Sequence, residues 1–303
     1  TNVDEVDLVN DLVFSSNSNN FLKNSDTSYK FLLRNINTYG DLSNKYKDDK
    51  DYKLFTSFLY NIRYPLFKET NNGSQFLTPL MSFRYSPNKG FNLKNEKELI
   101  RFQDLFNLDR VSNKTIESRE SVTLGLEYKN QNKFNRDRIN LGLGVNLKTK
   151  EDEDLPVSTT LNKKTSDIIG YSGINITENL SIGYNFSIDE NLSDTNYSLA
   201  SLKYNSSIFS TSFEYMEKSQ PIGEESYLNN VSKVIINNNN SLAFETNKNL
   251  DKNLTDYYNL IYKYKNDCLE ASVIYNKQFY SDNAINSDKN IFFKISIIPF
   301  GDV

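Results

Sequence analysis

Between Asp137 and Lys148 the chain reads DRINLGLGVNLK, so that Ile139, Leu141, Leu143, Val145 and Leu147 alternate with Asn140, Gly142, Gly144, Asn146 and Lys148. Successive side chains of a strand point to opposite faces, and this period of two sorts the segment into one apolar face and one polar or bare face. The pattern recurs. Val122, Leu124, Leu126 and Tyr128 stand against Ser121, Thr123, Gly125 and Glu127. Leu180, Ile182, Tyr184, Phe186 and Ile188 stand against Ser181, Gly183, Asn185 and Ser187. DYYNLIYKYK, CLEASVIYNK and NIFFKISIIPF repeat it towards the C-terminus. With less regular segments such as YKFLLRNINTY and LTPLMSFRYSP, the pattern predicts about fifteen strands of roughly ten residues, the length a tilted strand needs to cross a bilayer. No amphipathic helix competes with them.

The connections carry a second signal. Short links (ND, NNNN, NSS, TEN) alternate with longer ones such as EKSQPIGEESYLNNV and TKEDEDLPVSTTLNKKT. Transmembrane barrels sort tight turns to one side of the membrane and longer loops to the other. The longest connection, residues 88–120, is expected to be an extracellular loop, either a cap or plug over a lumen or a mobile exposed segment. Arg101, Asp104, Asn107, Arg110 and Glu117 are its candidate lumen-facing groups.

Composition then separates the two settings in which such strands occur. Tyr and Phe number 20 each in 303 residues, which excludes a disordered chain. The polar rows hold Ser, Thr, Asn and Gly as often as charges, and tyrosines such as Tyr204, Tyr215, Tyr264 and Tyr275 gather near strand ends, as at a membrane interface. A membrane barrel is therefore preferred to a soluble β-rich binding protein, whose sheet has a core side and a water side. Residue 1 is Thr, which fits a processed product or an internal fragment. Net charge is −4 with scattered Lys and Arg, so nucleic acid is not an expected partner. Without His and with one Cys, the Ser-His-Asp, Cys-His and zinc hydrolase classes fall away, and no cofactor is expected. Glu127, Glu214 and Glu270 are separate carboxylates on the polar rows.

Several stretches, in order, resemble the C-terminal barrel of the LPS-assembly protein family LptD, the organic solvent tolerance proteins. They are NDLVFSS, LLRNINTYGDLSNKYK, YPLFKE, FLTPLMSFRYSPN, DLFNLDR leading into ESRESVTLGLEYK, and finally YYNLIYKYKNDCLEASVIYNKQFYSD with KNIFFKISIIPFG. The chain departs from the family's Glu-Gly-Gly by keeping Glu117 but carrying Ser118 and Arg119, which puts a glycine-dependent turn there in doubt.

The resemblance implies an antiparallel transmembrane β-barrel, of which residues 1–303 are the C-terminal part. It implies lipopolysaccharide assembly in the outer membrane of a Gram-negative bacterium, without catalysis. Its partners would be lipopolysaccharide, an LptE-type lipoprotein plug, periplasmic LPS bridge proteins and membrane lipid. A lateral seam would run along the last strand, with Asn290, Phe292, Lys294, Ser296, Ile298 and Pro299 as its residues. Proline cannot donate to a ladder, so Pro299 either shortens the seam pairing or simply ends the strand. Cys268 could form a disulfide to a segment outside this chain or stand unpaired. A passive porin or receptor barrel remains the alternative.

Overall fold

The computed structural model describes residues 4–16, 24–42, 48–112, 115–279 and 288–297. Its strands are β1 Asp4–Ser16, β2 Asp26–Asp41, β3 Asp51–Arg63, β4 Leu66–Thr70, β5 Gly73–Ser86, β6 Arg119–Asn132, β7 Asp137–Lys148 and β8 Ile168–Asn175. They continue as β9 Leu180–Ile188, β10 Thr195–Asn205, β11 Phe209–Lys218, β12 Glu225–Ile235, β13 Asn240–Asn249, β14 Leu254–Lys265, β15 Leu269–Gln278 and β16 Asp288–Ile297. Helix is confined, among the described residues, to two 3-10 turns at Phe102–Phe106 and Val157–Thr159. Sixteen strands thus stand where the alternation predicts about fifteen, and they form a large antiparallel sheet. Strand order follows chain order except at β4, which folds back on β5 with Thr70 opposite Gly73.

Contacts divide the chain into two compact units, one of residues 1–172, 185–196 and 220–223, the other of residues 173–184, 197–219 and 224–303. In the first unit, register aligns the alternating residues of β5, β6 and β7 into lateral rows. Phe83–Val122–Leu147, Met81–Leu124–Val145 and Leu77–Tyr128–Leu141 lie on one face. Arg84–Ser121–Lys148, Ser82–Thr123–Asn146 and Leu80–Gly125–Gly144 lie on the other. The covered face is the second. Asn146 is fully buried, whereas Leu141, Leu143 and Leu147 are 38%, 46% and 37% exposed. Among the described residues no protein layer packs over the apolar row, so the polarity is the reverse of a water-soluble sheet.

The cover comes from two connections, the described residues 87–112 and 115–118 between β5 and β6 and residues 149–167 between β7 and β8. Ile100, Phe102, Leu105, Leu155 and Leu161 bury themselves with Leu80 and Ile169 of the sheet. Phe91, Leu93 and Ile116 do the same with Leu32, Ile36 and Phe55. Each fully buried Leu or Phe side chain contributes roughly 1.5–3 kcal/mol, enough in aggregate to hold a segment that lacks long regular structure. The two connections also bond to each other: Leu93 N donates to Asp154 O at 2.7 Å, and Ser158 Oγ donates to Glu98 O at 2.8 Å.

In the second unit the apolar rows run Leu242–Tyr262–Val273–Phe293 and Phe244–Leu260–Tyr275–Ile291. The opposite rows run Ser241–Lys263–Ser272–Lys294 and Glu245–Asn259–Asn276–Asn290. Three of its tight turns share one device, in which the oxygen of a short polar side chain accepts the N–H groups two and three residues on. Thr177, Asn237 and Asn266 each do so, which explains the Asn and Thr of the short links.

Candidate functional site: the covered polar face

The polar face of β5–β7 is graded along the strands, each lateral row meeting a different part of the covering segment. At Leu80–Gly125–Gly144 the row is low, and the 3-10 turn Phe102–Phe106 sits directly on it. A Cβ on Gly125 would lie 2.5 Å from Phe106 Cζ, and one on Gly144 would lie 2.8 Å from Leu105 Cδ1. These glycines are seats for side chains. Phe102 packs edge-on to Phe106 with ring centroids 5.5 Å apart and touches Tyr171 at 5.2 Å. Arg101 and Asp104 shape the start of this turn, where Arg101 N donates to Asp104 Oδ2 at 3.1 Å. Asn107 closes it by donating its N–H to Asp104 O at 3.0 Å.

One row further, Arg110 of the segment reaches into Ser82–Thr123–Asn146. Its guanidinium donates to Thr123 Oγ1 at 2.9 Å, Asn146 Oδ1 at 2.8 Å, Ser121 Oγ at 3.2 Å and Leu105 O at 3.0 Å. Its Nε and Nη2 also grip the Glu117 carboxylate side-on, at 2.7 and 2.6 Å. A guanidinium in its rigid fork geometry suits this bidentate pairing.

Glu117 also reaches the Arg84–Ser121–Lys148 row. Lys148 Nζ lies 2.8 Å from Oε1 and Arg84 Nε 3.6 Å from Oε2. All four side chains are buried. Burial alone pushes the Glu117 carboxyl up, but Arg110, Lys148 and Arg84 together outweigh it and hold it well below its ordinary value of 4.5. Its stabilising effect is therefore complete above that value and is lost only as pH falls far beneath it. Next to it, Ser118 Oγ donates to Asp152 Oδ2 at 2.7 Å, tying the segment to the second connection.

Two strand arginines complete the hold. Arg84 donates to the carbonyls of Asn107 and Leu108. Arg34, fully buried on β2, pairs side-on with Asp11 of β1 at 2.8 and 2.6 Å, and reaches Asp109 at 2.9 Å and Thr115 O at 3.0 Å. Towards the other strand ends the polar face opens into a cavity of about 540 Å³ bordered by Arg63, Glu127, Lys129, Asp137, Asn140 and Tyr171. Glu127 is paired with Arg63 at 2.8 Å, Glu214 with Lys203 at 4.0 Å and Glu270 with Lys263 at 2.5 Å, so none of the three carboxylates stands alone.

Of the residues singled out in the sequence, the structure gathers Arg110 and Glu117 into one cluster, with Asn107 attached to it through Arg84. Arg101 and Asp104 lie at the outer edge of the turn. Asn290, Phe292, Lys294 and Ser296 share one face of β16, opposite Asn276, Ile274, Ser272 and Glu270 of β15. Ile298 and Pro299 lie outside the described residues. Cys268 is exposed in the β14–β15 turn and unbonded. Sequence reasoning missed Arg34, Arg84, Lys148 and Asn146. Their one sequence signal was a charged or amide group on a strand's polar row.

These features define a large antiparallel β-sheet protein whose covered face is the polar one. The family model described as LptD, LPS transport system D, matches residues 35–250, and the chain belongs to that family. No curated protein matches it. Proteins of this family are transporters and not catalysts, and among the described residues no group of acidic or cysteine side chains could hold a metal ion.

Proposed function

We propose that this chain forms part of the wall of an outer-membrane barrel that delivers lipopolysaccharide to the outer leaflet. The observation that carries this reading is the inverted polarity: Leu141, Leu143 and Leu147 are uncovered while Asn146, Thr123 and Ser121 are buried. Hydrocarbon against the first row and a polar lumen against the second would satisfy both. An amphiphile needs both media, its sugars in the lumen and its acyl chains in lipid. In this reading residues 88–120 lie over the lumen, and β16 borders a seam at which Asn290, Phe292, Lys294, Ser296, Ile298 and Pro299 act. An LptE-type lipoprotein would fill the lumen and periplasmic bridge proteins would supply the lipid. Family membership supports these partners.

The test is to place a photo-crosslinking amino acid at Asn276 or Lys294, on the polar rows, and at Leu260, on the apolar row, in the complete protein in a Gram-negative host. Lipopolysaccharide adducts are expected from the polar-row positions and from the seam, in proportion to export. Adducts absent from both polar-row positions in an exporting strain would overturn the reading.

A further inference from the structure

The covering segment meets the sheet carboxylate to cation. Asp109 sits on Arg34 at 2.9 Å, and Glu117 sits on Lys148 at 2.8 Å and Arg84 at 3.6 Å. All three cations belong to the sheet, on β2, β7 and β5, whereas both carboxylates belong to the segment. Arg84, Lys148 and the segment's own Arg110 surround a single carboxylate. Asp152, which accepts from Ser118, and Asp109, which sits on Arg34, act on Lys148 and Arg84 through charge without a direct ion pair to either. Arg84 Nε, on a side chain only 3% exposed, carries no hydrogen bond although it lies 3.6 Å from the Glu117 carboxylate. A monoanion with two oxygens leaves such a cradle under-satisfied. A phosphate, with more oxygens and up to twice the charge, would fill it better.

Accordingly we propose that the Arg84–Lys148–Arg110 cradle is a phosphate-binding site which Glu117 occupies as an internal stand-in, so that a phosphorylated ligand competes with Glu117 and loosens residues 99–118 from the sheet. This rests on the transport reading only for the identity of the ligand, a phosphorylated glycolipid. The competition itself belongs to the site. Arg84 contributes twice, because the guanidinium that faces Glu117 also donates to the carbonyls of Asn107 and Leu108. Turning Arg84 towards a phosphate would release both. Lys148 closes the cradle from β7, two strands across from Arg84 with Ser121 between them. Arg34 stays neutralised by Asp11, so loss of Asp109 from it leaves a paired charge behind.

The experiment is hydrogen–deuterium exchange on the complete protein in detergent, titrated with inorganic pyrophosphate and, in parallel, with sodium chloride at matched ionic strength. Saturable acceleration of amides 99–118 by pyrophosphate, at least about threefold above the chloride control, is expected, with the rows of β10–β15 unchanged. Glu117→Gln should shift the midpoint to lower pyrophosphate by about tenfold, the direction competition requires. If Glu117→Gln does not fold, Asp109→Asn gives the same reading with a smaller shift, and Lys148→Gln should abolish the saturable phase. Equal responses to pyrophosphate and chloride, or a midpoint insensitive to Asp109→Asn and Glu117→Gln, overturn the proposal. Because no membrane is present, a positive result stands even if lipopolysaccharide export fails. A negative result leaves the transport reading intact.

Discussion

At the scale of single residues, the junction between the covering segment and β6 shows how a departure from a family pattern is absorbed. Where the family resemblance leads to the expectation of Glu-Gly-Gly, this chain has Glu117, Ser118 and Arg119. Arg119 takes φ +66°, in the left-handed region that favours glycine. The turn here is therefore held under strain. What keeps it is on either side: Glu117 is locked by Arg110 and Lys148, and Ser118 by Asp152. The Arg119 side chain is exposed and offers in return one long bond, 3.4 Å to Glu151 O. Arg119→Gly should consequently stabilise the protein by about 1 kcal/mol, which for a chain of this size raises the melting midpoint by roughly 2–4 °C. A thermal melt of the complete protein in detergent checks it, and a lowered midpoint would mean that the exposed guanidinium contributes more than the strain costs.

At the scale of elements, the glycines of β6 and β7 have a reason that their own strands do not supply. A strand gains nothing from Gly125 or Gly144, which weaken it. The gain lies with Phe102, Leu105 and Phe106, whose side chains occupy the space those glycines leave. Leucine at position 144 would place its Cβ 2.8 Å from Leu105 Cδ1 and 3.3 Å from Phe102 Cε2 before the rest of the side chain is added. Overpacking of this kind costs about 1–3 kcal/mol and would fall on the 3-10 turn, which has no strand ladder to hold it. Gly144→Leu is expected to speed amide exchange across residues 100–108 several-fold. Leu143→Met, one residue away on the opposite face, should leave it unchanged. If both variants exchange like the parent, the turn does not depend on that seat.

Much of this was legible beforehand, because a two-residue period is written locally. The row Ile139 to Leu147 needs no knowledge of the rest of the chain, and the tight turns announce themselves through Asn237 and Asn266. The cover was not legible. Arg34 meets Asp109 seventy-five positions away, and Arg84 meets Asn107 and Leu108 from within a strand that reads simply as alternating. Nothing in a period of two says which strand cation awaits which loop carboxylate. Residues 149–167 are the same case, since Leu155 and Leu161 reveal their role only once Leu80 and Ile169 are beneath them.

At the scale of the whole molecule, the transport reading requires the two faces to meet different solvents, and the composition supplies a clean way to ask. These 303 residues contain no tryptophan, so an indole introduced among them is read as the difference from the parent protein. Tyr262 and Lys263 are neighbours on β14 with opposite orientations, Tyr262 in the apolar row opposite Val273 and Lys263 in the polar row opposite Ser272. Both positions lie within the strand, at nearly the same level along it, and differ chiefly in face. In the complete protein reconstituted into vesicles, Tyr262→Trp should be quenched by brominated acyl chains and shielded from aqueous iodide. Lys263→Trp should show the reverse. The pair controls for strand level, since a depth effect would move both signals together while a face effect moves them apart. Lys263 also pairs with Glu270 at 2.5 Å, so Ser272→Trp on the neighbouring strand provides the same reading without removing that ion pair. Indoles at 262 and 272 quenched alike by either agent would mean that one solvent bathes both faces, and a sheet of that kind cannot pass an amphiphile between lumen and lipid.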